Sequence, residues 1–323
     1  MSDPNGPHRQ GLEEDLRRVR RLEWLNIAYL FTSITFLVLV MSGSQALKTE
    51  FVGDALGLIA PTLFLVGGKI SARKPDKEYP FGYERAVAVG NLGAALALLA
   101  VGLYLFADAA LKLVRLERPI IGGMELFGHV VWIGWLAVPA LMWCAIPAYF
   151  FGRTKQKLAE RIHDKVLASD AETSAANWKS AAAAVVGIFG VALGYWWADA
   201  VAALFISLEI VHSGWDELTH ALGDLIDRRP RMLGNKEVDP LPEKLTQFIK
   251  QQDWIEDAVV RVRERGRELE AEAVIVPSED AGLPSRLEAL SRDARMLDER
   301  LRHLGIMPVR NIPVELNSVR AER

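Results

Sequence analysis

Six apolar segments occupy most of the chain up to residue 211 and limit what it can fold into. They run over residues 24–41, 51–70, 86–107, 126–151, 181–197 and 198–211, and the last two meet at the short stretch GYWWAD (194–199). A helix needs roughly 20 apolar residues to cross the hydrocarbon core of a bilayer. Because helices satisfy their own backbone hydrogen bonds in lipid, this pattern predicts six transmembrane helices.

The charged residues divide the chain into domains. Half of the 323 residues are hydrophobic and 24% are charged, and the charges concentrate outside the apolar segments. We therefore predict an N-terminal arm over 1–23, a transmembrane domain over 24–213, a soluble domain over 214–316 and a tail over 317–323. The net charge of −3 is too small to indicate a polyanionic partner, so no nucleic acid is expected.

The soluble domain shows alternating helical and strand patterns. Residues 241–251 predict a helix, and 257–264 and 267–276 alternate as strands around a turn at Gly266. Leu287, Leu290, Ala294, Leu297 and Leu301 then recur at helical spacing, and 306–315 predicts a last strand. The order α-β-β-α-β predicts a small α+β domain, a ferredoxin-like arrangement short of one strand.

The basic residues predict the orientation in the membrane. Lys and Arg collect in three places, the arm, the loop between the second and third spans, and the loop between the fourth and fifth spans, where they are Arg153, Lys155, Lys157, Arg161 and Lys165. An even number of spans places these regions and both termini on one side, which the positive-inside rule assigns to the cytoplasm. We expect a multi-pass protein of the cell inner membrane, without a cleavable signal peptide.

Residues 11–25 (GLEEDLRRVRRLEWL) predict a basic amphipathic helix in the arm. Such a helix lies on the anionic inner leaflet of the bilayer, and binding of a protein partner is the alternative. Elsewhere, the single cysteine, Cys144, excludes a disulfide framework, and no two of the six histidines stand three or four residues apart. No nucleophile and base, glycine-rich phosphate loop or acid pair indicates an enzyme.

Several motifs resemble those of one family. They are GDAL (53–56), ARKPDKEYPFGYERA (72–86), SDAETSAAN (169–177), GYWWADAVAAL (194–204) and LIDRRP (225–230). In order and spacing, the chain resembles the cation diffusion facilitators, six-span transporters with a cytoplasmic α-β-β-α-β domain that are usually homodimeric. The resemblance implies a homodimer in the lipid bilayer that carries a divalent cation as its substrate, with no permanently bound cofactor.

The resemblance also implies a cation site, built from H/D-x-x-x-D in the second span and H-x-x-x-D in the fifth. Three alignments of the second span are open: Asp54 with Leu58, Gly53 with Gly57, and Gly57 with Pro61. Each of them lacks at least one ligand. In the fifth span, Thr173 and Asn177 stand where the family has His and Asp, so this half of the site is polar but uncharged.

The candidate metal ligands are therefore Asp54, Asp170, Thr173 and Asn177. All four offer oxygen, which suits Mg²⁺, Mn²⁺ or Ca²⁺ better than Zn²⁺. Each has a structural alternative. The alternative for Asp170 is that it stabilises a helix N-terminus, because Ser169 and Glu172 match a capping box at a helix start. Thr173 and Asn177 are also suited to bonds between helices, and Asp54 lies three residues from the start of its apolar run, where the headgroup region would tolerate it.

Further candidate positions lie in the loops and the soluble domain. Arg85 and Asp227 stand where relatives form a charge pair that links the membrane and soluble parts; two solvated loop charges are the alternative. The family's other metal positions are depleted: DKEYPFGYE (76–84) keeps Asp76, and NIPVEL (311–316) has only Glu315 as an ionisable ligand. A regulatory zinc site in the soluble domain is not expected.

Two functions from different classes follow from these residues. The first is export of a divalent cation harder than zinc by alternating access, through Asp54 and the polar face of the fifth span. The second is a family member that has lost transport and serves as a dimeric scaffold or accessory subunit, with a protein partner at the arm or the soluble domain. The missing ligands at Leu58, Thr173 and Asn177 favour the second, and the retained Asp54 favours the first.

Overall fold

The computed structural model describes residues 7–41, 43–71, 73–119, 122–126, 129–162, 165–232, 237–265, 268–279 and 281–319. The chain forms two compact units. The helical unit comprises Met1–Arg73 and Val89–Ala221, and the sheet unit comprises Lys74–Ala88 and Leu222–Arg323. The domain boundary predicted at residue 213 lies inside a helix that continues to Leu225.

The helical unit contains the apolar segments. Its helices are α1 (Pro7–Val40), α2 (Gln45–Gly57), α3 (Ile59–Ser71), α4 (Ala86–Val114), α5 (Gly134–Ile162), α6 (Lys165–Ala192) and α7 (Ala198–Leu225). With α2 and α3 counted as one segment, six helical segments among the described residues are long and apolar enough to cross a membrane, which confirms the predicted number of spans. Large apolar side chains such as Leu103, Val186 and Phe205 are more than half exposed, as a surface facing lipid requires.

Small residues bring α6 and α7 close together. A Cβ added at Gly187 would lie 2.7 Å from Cβ of Ala202, and one added at Gly190 would collide with Ala198. Helices in membranes pack closely where small residues face each other, because lipid supplies no hydrophobic force between them. A side chain at either glycine would therefore separate the two helices.

The second span is a broken helix that begins earlier than predicted. Helix starts at Gln45 rather than Phe51, with Ser44 as its N-cap, and is interrupted at Leu58 between α2 and α3. Pro61 explains the interruption, because proline has no N–H to bond the carbonyl of Gly57 and its ring clashes with that carbonyl. The break lies four residues beyond Asp54.

The fourth span was predicted to begin at Leu126, and this is wrong. Two short antiparallel strands precede the helix, β1 (Gly123–Leu126) and β2 (His129–Trp132), and α5 begins only at Gly134. The β-branched pair Val130 and Val131 favours a strand over a helix. At its other end, α5 continues to Ile162, so Lys155 and Arg161 lie on a helix and not in the predicted loop.

The fifth span also begins earlier than its apolar run. The apolar run starts at Ala181, but α6 starts at Lys165, and its polar first half forms continuous helix with the rest. Ser169 is therefore the fifth residue of α6, and the proposed capping box at Ser169 is wrong. Asp170, Thr173 and Asn177 lie within the helix, where a side chain that faces the protein interior can be polar.

The sheet unit has the predicted element order. It contains α8 (Leu241–Lys250), β3 (Ile255–Arg265), β4 (Glu268–Pro277), α9 (Leu283–Arg295), β5 (Leu301–Pro308) and a short 3-10 helix (Val314–Val319). The strand order is β3-β4-β5, with β3 and β4 antiparallel and β4 and β5 parallel. The α-β-β-α-β order is confirmed, and Gly266, predicted as the turn, lies outside the described residues.

The last helix and strand are shifted from their predicted positions. Helix α9 ends at Arg295, so Leu297 and Leu301 do not continue its apolar face, and the last strand occupies Leu301–Pro308 rather than 306–315. The reason is the turn between them, in which the backbone N–H of Arg300 donates to the Asp298 carboxylate. This turn aligns Leu301 with Leu269 of β4, and both side chains enter the core.

One buried carboxylate ties two elements of the sheet unit together. Asp239 is 1% exposed; it accepts the backbone N–H of Leu241 at the start of α8 and the Arg300 guanidinium, at 2.9 and 2.8 Å. Bonds to Asp298 and Asp239 raise the pKa of Arg300 even though partial burial opposes the shift. The arginine thus stays charged and joins the segment before β5 to the segment before α8.

We predict that Arg300→Met lowers the local stability of the sheet unit by about 2 kcal/mol, because it leaves the Asp239 carboxylate buried without its cation. The measurement is hydrogen–deuterium exchange of β4 amides in the full chain, which should become about thirtyfold faster. Arg302→Met is the matched control, because Arg302 forms a more exposed pair with Glu268 at 2.9 Å. An equal acceleration in both variants would contradict the role of Asp239.

Candidate cation site

Asp54 lies well inside the helical unit. Helix begins at Gln45, nine residues before Asp54, which places Asp54 about 13 Å along the segment. Its side chain is 2% exposed and accepts a hydrogen bond from the hydroxyl of Ser33 on α1. Ser33 in turn lies 2.8 Å from Sγ of Cys144 on α5. Asp54 is therefore a buried carboxylate between three helices. Because the helix begins at Gln45 and not at Phe51, Asp54 does not lie near the start of its span, and the alternative that it lies in the headgroup region is not supported.

Glu50 is a second buried carboxylate on the same face of α2, and the sequence prediction missed it. Residues four apart on a helix share a face, and Glu50 is 3% exposed and lies within electrostatic range of Asp54 and of Glu209 on α7. Ser180 of α6 donates to the Glu209 carboxylate at 3.1 Å. The E-x-x-x-D spacing was visible in the sequence, but the predicted span began at Phe51 and so excluded Glu50.

The polar face of α6 lines a narrow cavity. Asp170, Thr173, Ser174 and Asn177 contribute from α6, and Asn26, Tyr29 and Gly57 face them from α1 and α2. The cavity has room for about one water molecule. The structure thus brings three of the four predicted ligands together.

The fourth predicted ligand, Asp54, is turned toward α1 and α5, and Gly57, one turn further along α2, reaches the cavity instead. Among the described side chains, no three His, Cys, Asp or Glu residues are close enough together to hold a metal ion in this conformation. Asp54 and the α6 ligands therefore form two neighbouring polar layers, about one turn apart along α2.

Asp170 is paired with a buried lysine. Lys155 of α5 is fully buried, and its ammonium contacts the carboxylates of both Asp170 and Glu23, the latter at 3.0 Å. Glu23 was predicted as the last residue of the surface arm, but α1 is continuous from Pro7 and Glu23 is fully buried. Both residues were missed because Glu23 and Lys155 flank apolar segments, where charges usually belong to loops.

The predicted charge pair lies within the sheet unit. Nη2 of Arg85 is 2.5 Å from Oδ1 of Asp227, and Nη1 of Arg263 on β3 is 2.9 Å from Oδ2. Partial burial lowers the pKa of Arg263, but the carboxylates of Glu270 and Asp227 outweigh it and raise that pKa. Asp227 has φ of 58°, a left-handed conformation that Asp tolerates better than most residues. Its carboxylate holds the segment that carries Arg85 against β3.

Asp76 is used by its own loop. Its carboxylate accepts the Tyr83 hydroxyl at 2.6 Å and the backbone N–H groups of Tyr79 and Glu78 at 2.7 and 2.9 Å. The bond from Tyr83, followed by that from Tyr79, lowers the pKa of Asp76. These hydrogen bonds give Asp76 a structural role in the loop that does not depend on binding a metal.

Asp199, in the motif ADA, holds the start of α2. Its side chain is 1% exposed and accepts the Ser44 hydroxyl at 2.6 Å, the Gln45 N–H at 2.5 Å and the Ala46 N–H at 3.3 Å. A carboxylate at a helix N-terminus satisfies N–H groups that have no partner within the helix and interacts favourably with the helix dipole. Asp199 therefore joins α7 to the helix that carries Glu50 and Asp54.

A family model and individual relatives all indicate the same family of membrane transporters. A model of the cation efflux transmembrane domain matches residues 24–226, more than half of the chain. The chain is 27% identical to the uncharacterized transporter YdbO of Bacillus subtilis over 216 residues, 65% of this chain and 70% of that protein. It is 24% identical over 204 residues to the manganese efflux system protein MneS of the same species, covering 62% and 66% of the two chains.

A third relative is the magnetosome protein MamB of a Magnetospira species. It is 22% identical over 188 residues, which cover 58% of this chain and 60% of MamB. The chain thus spans about two thirds of the length of these relatives.

We predict that Asp199→Ala lowers the free energy of unfolding by about 2 kcal/mol, because three donors at the start of α2 lose their acceptor. Thermal unfolding of the purified protein should show the loss, and Asp199→Asn, which keeps one acceptor oxygen, should lose less. Asp216→Ala is the control on the same helix, since the Asp216 side chain is 52% exposed. Equal melting temperatures for Asp199→Ala and Asp216→Ala would exclude the capping role.

Proposed function

Because the chain belongs to the cation efflux family, a family of membrane transporters, we propose that it exports a divalent metal cation across the membrane by alternating access. The observation that carries this proposal is the pair of buried carboxylates, Glu50 and Asp54, on a broken helix beside a polar cavity. A charge at bilayer depth costs on the order of 3 kcal/mol, so carboxylates persist there mainly where they serve an ion pathway or have a fixed partner.

The donor atoms favour an ion harder than zinc. The proposed ligands Asp54, Asp170, Thr173 and Asn177 offer carboxylate, hydroxyl and amide oxygens, the donors that Mg²⁺ and Mn²⁺ prefer. The chain's single thiol, Cys144, lies beside Ser33, so the chain cannot supply the thiolate cluster that would suit a softer ion. Because the relative MneS is named a manganese efflux system protein, Mn²⁺ is the first ion to test.

The proposed movement passes the ion between two polar layers. One layer contains Glu50 and Asp54 on α2, and the other is the cavity with Asp170, Thr173 and Asn177 on α6. The break at Leu58 directly follows Gly57, which lines the cavity, and interrupted helices in transporters are typical places for ion binding and bending. In this proposal, α2 and α3 change their mutual angle so that one layer opens as the other closes.

The membrane arrangement is part of the proposal. In this proposal both termini lie in the cytoplasm, because an even number of spans leaves them on one side and the positive-inside rule assigns the side with the basic loops to the cytoplasm. We place the protein in the cell inner membrane as a homodimer, as the family resemblance implies. The cation is a transported substrate and no cofactor is held permanently.

A second function has one observation in its favour. Asp170 is already neutralised by Lys155, and Thr173 and Asn177 carry no charge, so the α6 layer alone is a weak cation site. A family member without transport would serve as a dimeric scaffold, with a partner at the N-terminal arm or the sheet unit. The buried carboxylates of α2 have no evident use in that alternative, and transport is therefore preferred.

We predict that proteoliposomes of the purified protein take up Mn²⁺, with less uptake of Zn²⁺, and that Asp54→Asn reduces Mn²⁺ uptake to the level of empty liposomes. Asparagine still accepts the Ser33 hydroxyl, so the variant keeps the local packing and loses only the charge. Mg²⁺ and Fe²⁺ are offered in parallel to define the ion. Asp216→Asn, an exposed carboxylate on α7, should transport as the wild type does.

Absence of flux for every ion, from protein shown to be folded and dimeric, would reject transport and favour the scaffold. Flux that survives in Asp54→Asn would reject Asp54 as a ligand while leaving the transport function in place.

A further inference from the structure

A buried lysine ammonium lies between two carboxylates next to the cavity. We propose that Lys155 is an internal counter-cation that occupies a cation-binding site made by Glu23 and Asp170, and that an arriving divalent cation displaces it. The inference rests on the proposed export of a divalent cation and adds to it an entry site, with one ligand, Glu23, on the first span.

The geometry is that of an occupied cation site. Nζ of Lys155 is 3.0 Å from Oε2 of Glu23 and also contacts Oδ2 of Asp170, and the three side chains come from α1, α5 and α6. Glu23 and Lys155 are fully buried and Asp170 is 4% exposed. Two carboxylate oxygens from different helices thus meet at one point, where the structure places a positive charge.

The Lys155 ammonium does not provide a hydrogen bond to every carboxylate oxygen of this site. Oε1 of Glu23 is buried, and no donor among the described residues reaches it. An unpaired buried carboxylate oxygen is costly and is rare in folded proteins. When both carboxyl groups are ionised, they carry one more negative charge than Lys155 balances. A divalent cation would balance both charges and offer a coordination position to the unpaired oxygen, which a single ammonium cannot do.

The site opens toward the proposed pathway. Asp170 lines the cavity together with Thr173 and Asn177, which follow it along one face of α6. An ion held by Glu23 and Asp170 therefore has its next oxygen donors one and two turns further into the helical unit. Asp170 lies five residues from the start of α6, at the end of the unit that we place in the cytoplasm, as an entry site for an exporter requires.

Lysine is suited to leave such a site. Its ammonium sits on a flexible stem of four carbons, and a lysine near a helix end can extend the stem so that the charge reaches the interface. Lys155 lies seven residues from the end of α5. Displacement by the cation would therefore move the lysine charge toward the membrane surface and clear the pathway.

The test is Mn²⁺ binding by the purified full-length protein, measured by isothermal titration calorimetry. If the ammonium occupies the site in about nine of ten molecules, Lys155→Met should bind Mn²⁺ about tenfold more tightly than the wild type. Lys155→Arg keeps the charge and should not bind more tightly. Lys157→Met is the matched control, because Lys157 is exposed on the same helix, and its affinity should equal that of the wild type.

Two further measurements separate the cation site from a purely structural ion pair. Lys155→Met leaves two buried carboxylates without a counter-charge and should melt at a lower temperature than the wild type, but Mn²⁺ should raise its melting temperature more than that of the wild type. In Lys155→Met/Glu23→Gln the gain in affinity should disappear. Unchanged affinity in Lys155→Met, or failure of this variant to fold even in millimolar Mn²⁺, would overturn the proposal, since both mean that a divalent cation cannot replace the ammonium.

These outcomes are independent of the transport assay. Wild-type flux together with unchanged affinity in Lys155→Met would reject the counter-cation and keep the exporter. Tighter binding in Lys155→Met with no wild-type flux would keep the site and reject export.

Discussion

A carboxylate inside an apolar helical unit must have a partner, and this constraint organises the polar part of the structure. A charge at bilayer depth costs on the order of 3 kcal/mol, so the protein supplies a hydroxyl to Asp54, an ammonium to Asp170 and a helix N-terminus to Asp199. Each partner comes from another helix. The same contacts that satisfy the charges therefore fix α1, α5 and α7 relative to the helices that carry the candidate ligands.

The second span shows how these contacts position the site. Asp199 fixes the start of α2, and Pro61 ends the regular hydrogen bonding of that helix near Leu58. Between these two points lie Glu50 and Asp54, both on one face. Their depth is thus set by a cap at one end and a break at the other, so a change in the angle at Leu58 would move α3 while α2 stays attached to α7.

The sequence predicts the number of spans and the order of the sheet unit, but not where the helices begin. Apolar runs identify segments that face lipid, whereas the first half of α6 has a polar face that is buried at Asp170 and Ser174, and the first turns of α2 are polar and buried. Lys165 to Ser180 and Gln45 to Glu50 therefore resemble loops in composition, and Lys155 resembles a basic loop residue. The β5 error has a local cause, a turn at Asp298 that no apolar pattern reveals.

The incomplete family motif takes on a different meaning once burial is known. The resemblance requires charged ligands on the second and fifth spans, and the fifth has only Thr173 and Asn177. The structure shows carboxyl groups at Glu23, Glu50 and Glu209, all of which lie outside the positions of the family motif. Glu23 and Glu50 are at most 3% exposed. The electrostatic attraction for a cation depends on the total charge nearby, whichever helix carries that charge. Carboxyl groups missing from one helix are therefore present on its neighbours, which is the arrangement that the proposed cation pathway requires.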